Sequence, residues 1–406
     1  MAPKDNDRLS CGWSVVATRN HTDFGAEGQL GWAKISSRFT SRCLLRPAAV
    51  RPFWSRLRHA ERRGPLLARA RVTTFVRRWF DAKGFVEVQP ATLQASPGNE
   101  THLHAFKTAL ILSDGTPHDA YLHTSPEFAM KKLLTAGERQ IFALTSVFRD
   151  RERTALHAPE FAMLEWYRTH APLERLIQDC AAIVALAAYV AGAKRFAYRG
   201  KEVSPFDPPE RLTVRDAVRR HAGIDIYDSL PIDGPADTTK FAQQARDSGV
   251  RVAPDDDWSD IFSRLLTERV NPNLGLGRPT ILHAYPASEA ALAQMSPGDP
   301  RIAERFELYC CGVELANAFH ELQDPHEQRR RFIAAMKEQQ RIFGACYPID
   351  EEFLAALADM PDASGAALGF DRLIMLAAGA ERVESVQWTP VFDPTSAEPM
   401  TRICDL

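Results

Sequence analysis

The chain of 406 residues is long enough to bury a large core, as one big domain or two, and its 45% hydrophobic and 25% charged content is that of a soluble globular protein. A net charge of −2 gives no global reason to expect nucleic-acid binding, and no apolar run approaches the roughly 20 residues of a membrane span. The seven cysteines lack paired metal-type spacing, and a reducing cytoplasm is the simplest setting for them.

Residues 1–53 carry little periodicity. Between residues 34 and 63 nine basic residues face a single acid, Glu61, which fits a targeting arm or a nucleic-acid tail. No long apolar segment accompanies them. The preferred reading is a disordered or mis-assigned leader ahead of a folded body over residues 54–396, with a tail at 397–406. From 66 to 83 the pattern is helical: Val72, Phe75, Val76, Trp79 and Phe80 make one apolar stripe, and Gly84 supplies the stop. A short strand over 85–88 follows and ends at Pro90. Ser125 and Pro126 open the next helix as N-cap and first helical residue, with Glu127 favourably placed at its positive end.

Residues 140–148 read as a strand feeding the charged loop Arg149, Asp150, Arg151, Glu152, Arg153. In the strand that follows, a period of two puts Phe161, Met163, Glu165 and Tyr167 on one face and Ala162, Leu164 and Trp166 on the other. The second face is wholly apolar and reads as core. The first carries an aromatic ring, a carboxylate and a phenol, which are costly to bury without a purpose. An arginine-rich loop beside such a strand suits a site that holds an anion at one end and a polar ligand along the strand. A hairpin with a wet face fits the same pattern.

The segment after Tyr167 is Ala-rich and helical to about residue 193, and residues from about 200 to 270 read as a small helical insertion, with a short helix over 212–221. Residues 305–321 form the second informative run. A two-residue turn at Cys311-Gly312 makes a hairpin that sets Glu314 opposite Tyr309, with Glu307 its diagonal neighbour on the same face. Two carboxylates so close repel unless a cation sits between them, and oxygen ligands at that spacing suit Mg²⁺. A solvated face carrying two glutamates is the alternative. Glu321 lies an odd number of residues from Glu314, so a bulge or break near Asn317 is required to bring both to one face. A helix follows, with Asp324 as N-cap, Pro325 first, and Ile333, Met336 and Phe343 inward. Last come a short strand, Gly369, and a helix over 371–378. Arg372 lies in its first turn, and an arginine at a positive helix end argues for a bound polyanion.

The run from Ser146 to Tyr167 resembles motif 2 of the class II aminoacyl-tRNA synthetases, the antiparallel strand–loop–strand that holds ATP and the amino acid. Gly365-Ala366-Ala367-Leu368-Gly369-Phe370-Asp371-Arg372-Leu373 resembles their motif 3, and the helix and strand ending at Pro90 resemble motif 1, the dimer-forming element. The resemblance implies an α+β fold: an antiparallel sheet flanked by helices, with no anticodon-binding domain ahead of it. It is closest to the lysine-type subgroup, through Ser125-Pro126-Glu127 and the run Glu314, Asn317, Phe319-His320-Glu321. The free-standing core is similar to the elongation factor P–lysine ligases, which join lysine, preferably (R)-β-lysine, to a lysine side chain of elongation factor P. Residues 122–134 and 163–168 fit that family, as does Ala367 where lysyl-tRNA synthetases have glycine.

By that resemblance Arg149 would hold the ATP α-phosphate, His157 and Arg372 would meet the β- and γ-phosphates, and Phe161 would stack on adenine. Asp150, Arg151, Ala158, Leu315 and Gly369 would complete the nucleotide site, and Glu307 and Glu314 would bind Mg²⁺. Glu127, Tyr167 and Glu321 would receive the lysine side-chain ammonium, Glu165 and Asn317 would orient the α end, and Ser125, Pro126 and Ala367 would line the pocket. The implied chemistry is attack of the substrate carboxylate on ATP, giving an acyl-adenylate and pyrophosphate, then transfer to an amine. The implied partners are elongation factor P and a second copy of the chain, with no membrane and no tRNA. A tRNA-charging enzyme is the alternative, and a non-catalytic binder is disfavoured by the intact arginines and carboxylates. Two departures bear on ATP. Asp150-Arg151 stand where relatives carry Asn-Glu, with Glu152 placed to substitute, and Ala158 stands where asparagine is usual.

Overall fold

A nine-stranded sheet organises the described residues, 52–393 of this computed structural model. Arg51 and the residues before it, and the tail at 397–406, lie outside them. Across the sheet the strands run Val86–Glu87, Gln140–Phe148, Glu160–Thr169, Ala363–Gly369, Val313–His320, Asp299–Cys310, Thr280–Pro286 and Glu210–Thr213, with Met295–Ser296 paired beside Asp299–Cys310. All pairings are antiparallel except at the two edges, where Val86–Glu87 and Glu210–Thr213 run parallel to their neighbours. The class is α+β, an antiparallel-dominated sheet flanked by helices, as the motifs imply.

Period-two alternation sorts the central strands into two faces. Phe142, Leu164, Trp166, Phe306, Leu308, Ala316, Ala318, Ala366 and Leu368 point to one side, where they pack with Val72, Val76 and Phe80 and with Leu176, Cys180, Ile183 and Val184 of helix Leu173–Ala191. The opposite face carries Glu165, Tyr167, Asn317, Phe319 and Ala367. Helices Glu127–Thr135 and Glu351–Leu357 border that face, with a core of Met130, Leu134, Ile141, Ala143, Phe353 and Leu354. One face is therefore packed shut and the other is left for chemistry.

The first helix runs Arg56–Ala82, well before the expected start at 66, with Ser55 Oγ accepting from Arg58 N–H at 3.4 Å. The helix passes through Gly64-Pro65, although proline removes one helical hydrogen bond. Buried Arg62 anchors that turn by donating to the Glu384 carbonyl at 3.0 Å and to the Gln387 carbonyl. Phe75, expected in the inward stripe, is exposed. In helix Pro325–Phe343, Asp324 caps as expected, but Phe332 and not Ile333 is buried. The stretch from 200 to 270 is not purely helical. Strand Glu210–Thr213 enters the main sheet, and helices Val214–Ala222, Thr238–Asp247 and Trp258–Leu265 then close over a separate core that includes Phe241, Trp258, Phe262 and Tyr285.

The hairpin turn falls at Cys311-Gly312, with φ of 56° and 73°, the left-handed pair that a two-residue hairpin turn requires. Its register contains the one irregularity that the site needs. Leu308 pairs with Ala316 and Tyr309 with Glu314, so Leu315 is an extra residue. The bulge therefore lies at Leu315 and not near Asn317. It rotates Glu314 onto the face of Asn317 and Phe319 and away from the core face of Ala316 and Ala318.

Candidate active site

Two cross-strand rows lay out the open face. Glu307, Asn317, Ala367 and Glu165 are register partners across four strands. Arg305, Phe319, Gly365 and Tyr167 form the next row. Residues distant in sequence are thus held about 5 Å apart by backbone pairing alone. Above these rows lies a cavity of about 150 Å³ whose lining includes Glu127, Arg149, Glu152, His157, Ala158, Phe161, Glu314, Asn317, Ala367, Gly369 and Arg372.

One end of the cavity is cationic. Arg149 Nε donates to the Thr124 carbonyl at 3.2 Å, and its guanidinium lies 5.4 Å from the centre of the Phe161 ring. Arg372, near the start of helix Phe370–Ala377, donates to the Leu156 carbonyl at 3.2 Å and the Glu314 carbonyl at 3.0 Å. Its third nitrogen donates to His157 Nε2 at 2.7 Å, so the His157 proton sits on Nδ1, facing Thr154 Oγ1 at 2.7 Å. Burial, then Arg372 and Arg149, hold the His157 imidazole down to about 4. It is neutral at pH 7, and an arriving polyanion would raise it. Three groups that favour negative charge share this end.

The other end is acidic and largely sealed. Ser125 Oγ donates to Glu165 at 2.7 Å, and Tyr167 OH donates to its other oxygen at 2.6 Å. Burial, with Glu127 nearby, pushes the Glu165 carboxyl up to about 8. Ser125 Oγ also accepts from Glu127 N–H at 3.2 Å, but Ser125 is not the N-cap: the helix begins at Glu127, one residue later than expected, and Pro126 is the N-cap, with no side-chain cap bond. Below them, Lys131 Nζ lies 2.5 Å from Glu127 and 2.6 Å from Glu321, with Lys131 and Glu321 almost wholly buried. Burial alone would lower the Lys131 ammonium, but Glu127 and Glu321 outweigh it and hold the group protonated. Burial lifts Glu321 to about 7 against the pull of Lys131.

Glu307 and Glu314 face each other from adjacent strands. Glu307 accepts from Tyr285 OH and Tyr309 OH, each at 2.5 Å, and from Arg305. Glu314 is freer, with Arg372 Nη1 3.6 Å away, and burial and then Glu307 raise its carboxyl. A divalent cation fits Glu314 as a direct ligand better than it fits Glu307, whose oxygens already serve three donors.

The expected site residues separate into three groups. Ser125, Glu127, Arg149, His157, Ala158, Phe161, Glu314, Leu315, Asn317, Ala367, Gly369 and Arg372 line the cavity. Glu165, Tyr167 and Glu321 lie behind its wall, and Pro126 lines an adjoining recess. Asp150 and Arg151 do not reach the cavity. Arg151 has a positive φ of 64°, which swings its guanidinium to 5.7 Å from the Phe343 ring, while Asp150 accepts the Arg151 N–H at 2.8 Å. Glu152 takes the cavity position instead.

Sequence reasoning overlooked Lys131, Gly365 and Arg305. Lys131 had a signal, its i,i+4 spacing from Glu127 on one helix. Arg305 had one too, two residues from Glu307 on a strand. Gly365 had none that is local. A Cβ there would overlap the Tyr167 ring and the Glu321 carboxylate, so the glycine keeps both where they are. Gly365→Ala is expected to destabilise the protein by about 1–3 kcal/mol, read from the midpoint of urea unfolding. An unchanged midpoint would mean that Tyr167 and Glu321 are free to retreat.

Residues 49–392 match the family described as tRNA synthetases class II (D, K and N). An elongation factor P–(R)-β-lysine ligase of Haemophilus influenzae (strain PittGG) is 37% identical over 323 residues, which cover 79% of this chain and 93% of that protein. The proteins of that name from Salmonella arizonae and Klebsiella pneumoniae are 39% and 38% identical, with the same 79% and 93% covered. With motif-bearing strands, charge layout and sequence in agreement, the chain belongs to the class II tRNA synthetase family and, within it, to the elongation factor P–(R)-β-lysine ligases.

Proposed function

We propose that this chain uses ATP to activate lysine or (R)-β-lysine as an acyl-adenylate and transfers the acyl group to a lysine side chain of elongation factor P. The observation that carries this reading is the charge division of one cavity, with Arg149, His157 and Arg372 at one end and Glu127, backed by Glu165 and Glu321, at the other. A diamino acid and a nucleotide triphosphate need those two ends side by side. In this reading Arg149 and Arg372 bind the phosphates and stabilise charge as it moves to pyrophosphate. Phe161 stacks the base, and Asn317 and Glu165 orient the substrate's reacting end. Ala367 presents its methyl between Asn317 and Glu165, where it would discriminate the α- from the β-isomer by about 1–3 kcal/mol. Mg²⁺ held by Glu314, with Glu307 behind it, would neutralise phosphate charge. A homodimer is part of the proposal. Leu67 and Phe75 of the first helix and Val86 of the strand after it are exposed apolar residues on the element that resembles the dimer-forming motif.

Pyrophosphate exchange with lysine and with (R)-β-lysine, followed by acyl transfer to elongation factor P or to tRNA, tests this. Exchange followed by labelled elongation factor P is expected. Label on tRNA alone would favour a charging enzyme, and absent exchange would refute ATP-dependent activation. Among the described residues no helix is long and apolar enough to cross a membrane.

A further inference from the structure

A second, larger hollow of about 680 Å³ lies beside the cavity. Asp257, Ser259 and Asp260 of the helical insertion and Glu327, Arg330, Ala334 and Glu338 of helix Pro325–Phe343 border it. Glu100, Asn317 and Phe319 line both spaces, so they form the threshold between them. Glu100 also borders the recess at Ser125 and Pro126. It sits on a loop pinned on either side of it. Buried Asn99 donates to the Tyr347 carbonyl at 3.1 Å, Thr101 Oγ1 donates to the Ala335 carbonyl at 3.4 Å, and the Tyr347 hydroxyl accepts from Ala105 N–H at 2.8 Å.

The Glu100 carboxylate itself is exposed into the hollow and, among the described residues, has no hydrogen bond or ion pair. Most other carboxylates around the cavity are committed: Glu127 to Lys131, Glu165 to Ser125 and Tyr167, Asp371 to Arg69 and Gln387. Glu152, also without a partner, does not border the hollow. The charged groups facing Glu100 are Arg149, Glu127, Arg305 and Lys131.

We infer that Glu100 is the base for the transfer step and takes a proton from the acceptor amine as that amine crosses from the hollow into the cavity. The inference rests on the transfer reaction proposed above. An alkylammonium has a pKa near 10.4, so at pH 7 on the order of one in a thousand acceptor side chains is neutral. The carboxylate accepts the first proton. The freed amine nitrogen attacks the acyl carbon, the C–N bond forms, and the C–O bond to AMP breaks. The second nitrogen proton leaves to solvent, and Glu100 returns its own proton the same way.

The test compares wild type, Glu100→Gln and Glu100→Asp in three assays: lysine-dependent pyrophosphate exchange, single-turnover transfer from preformed adenylate to elongation factor P between pH 7 and pH 10, and capture of the adenylate by hydroxylamine, an amine already neutral at pH 7. Glu100→Gln is expected to leave exchange and hydroxylamine capture within about twofold of wild type. Transfer at pH 7 should fall about 10²-fold, and the deficit should close as the pH approaches the acceptor's own pKa. Glu100→Asp should recover part of the loss. Unchanged transfer at pH 7, an equal deficit at every pH, or a matching loss of exchange would overturn the inference. Wild-type protein that exchanges pyrophosphate but labels no elongation factor P would instead remove the transfer reading, and this base with it.

Discussion

Lys131→Met is expected to destabilise the protein by about 3–5 kcal/mol, the largest stability loss at any single position considered. Methionine matches the volume of the stem, so the loss is electrostatic. Glu321, 1% exposed, would have no cation beside it and would either hold an unpaired buried charge or take up a proton, and Glu127 would lose its nearest partner. The pH dependence separates this from a packing effect. Glu321 and Glu165 are raised to about 7 and about 8 in the folded protein, above the ordinary glutamate value, so the folded state binds more protons than the unfolded chain. The stability these two groups contribute is complete at pH values below that ordinary value and is lost as pH rises through 7 to 8. Removing Lys131 withdraws what holds Glu321 down, so the variant should lose stability more steeply over that interval and approach wild type near pH 5. Urea midpoints at pH 5 and pH 8.5 measure both slopes. Parallel curves would refute the account.

Arg372→Ala is expected to slow lysine-dependent pyrophosphate exchange by about 10²–10³-fold, the scale for removing one preorganised donor to developing charge. The side chain is placed for that task and not for holding the fold. Its donations go to two loop or strand carbonyls and to His157, all at the cavity. The same variant should raise the His157 pKa from about 4 toward the ordinary histidine value, because the second-largest cause of its depression has gone. Imidazole proton shifts during a pH titration would read this independently of turnover. Arg372→Lys keeps the charge but not the planar fork, and should fall between the two. Exchange within threefold of wild type in Arg372→Ala would remove Arg372 from the chemistry.

What could be read from residues alone was what repeats or punctuates. Strand Gln140–Phe148 was legible to its ends, and so was the turn at Cys311-Gly312, because alternation and turn chemistry are local. The two faces of strand Glu160–Thr169 followed from the same alternation. Three things were not legible, each for a physical reason. Helix Arg56–Ala82 ignores Gly64-Pro65 because Arg62 is anchored by carbonyls more than three hundred residues away. Arg151 leaves the cavity because of a backbone dihedral that residue type does not announce. Gly365 matters only because sheet register sets it against Tyr167 and Phe319.

The extra residue at Leu315 is a point where this hairpin has length to spare. Val313 and Glu314 stand on one side of a parity boundary, and Asn317 and Phe319 on the other. Leu315 and Ala316 both turn to the packed layer, so a chain lacking either one would alternate strictly and still set Glu314 opposite Tyr309. Descendants of this chain can therefore shed one apolar residue at 315–316 and keep the cavity's charge layout, at the cost of one contact in the layer beneath.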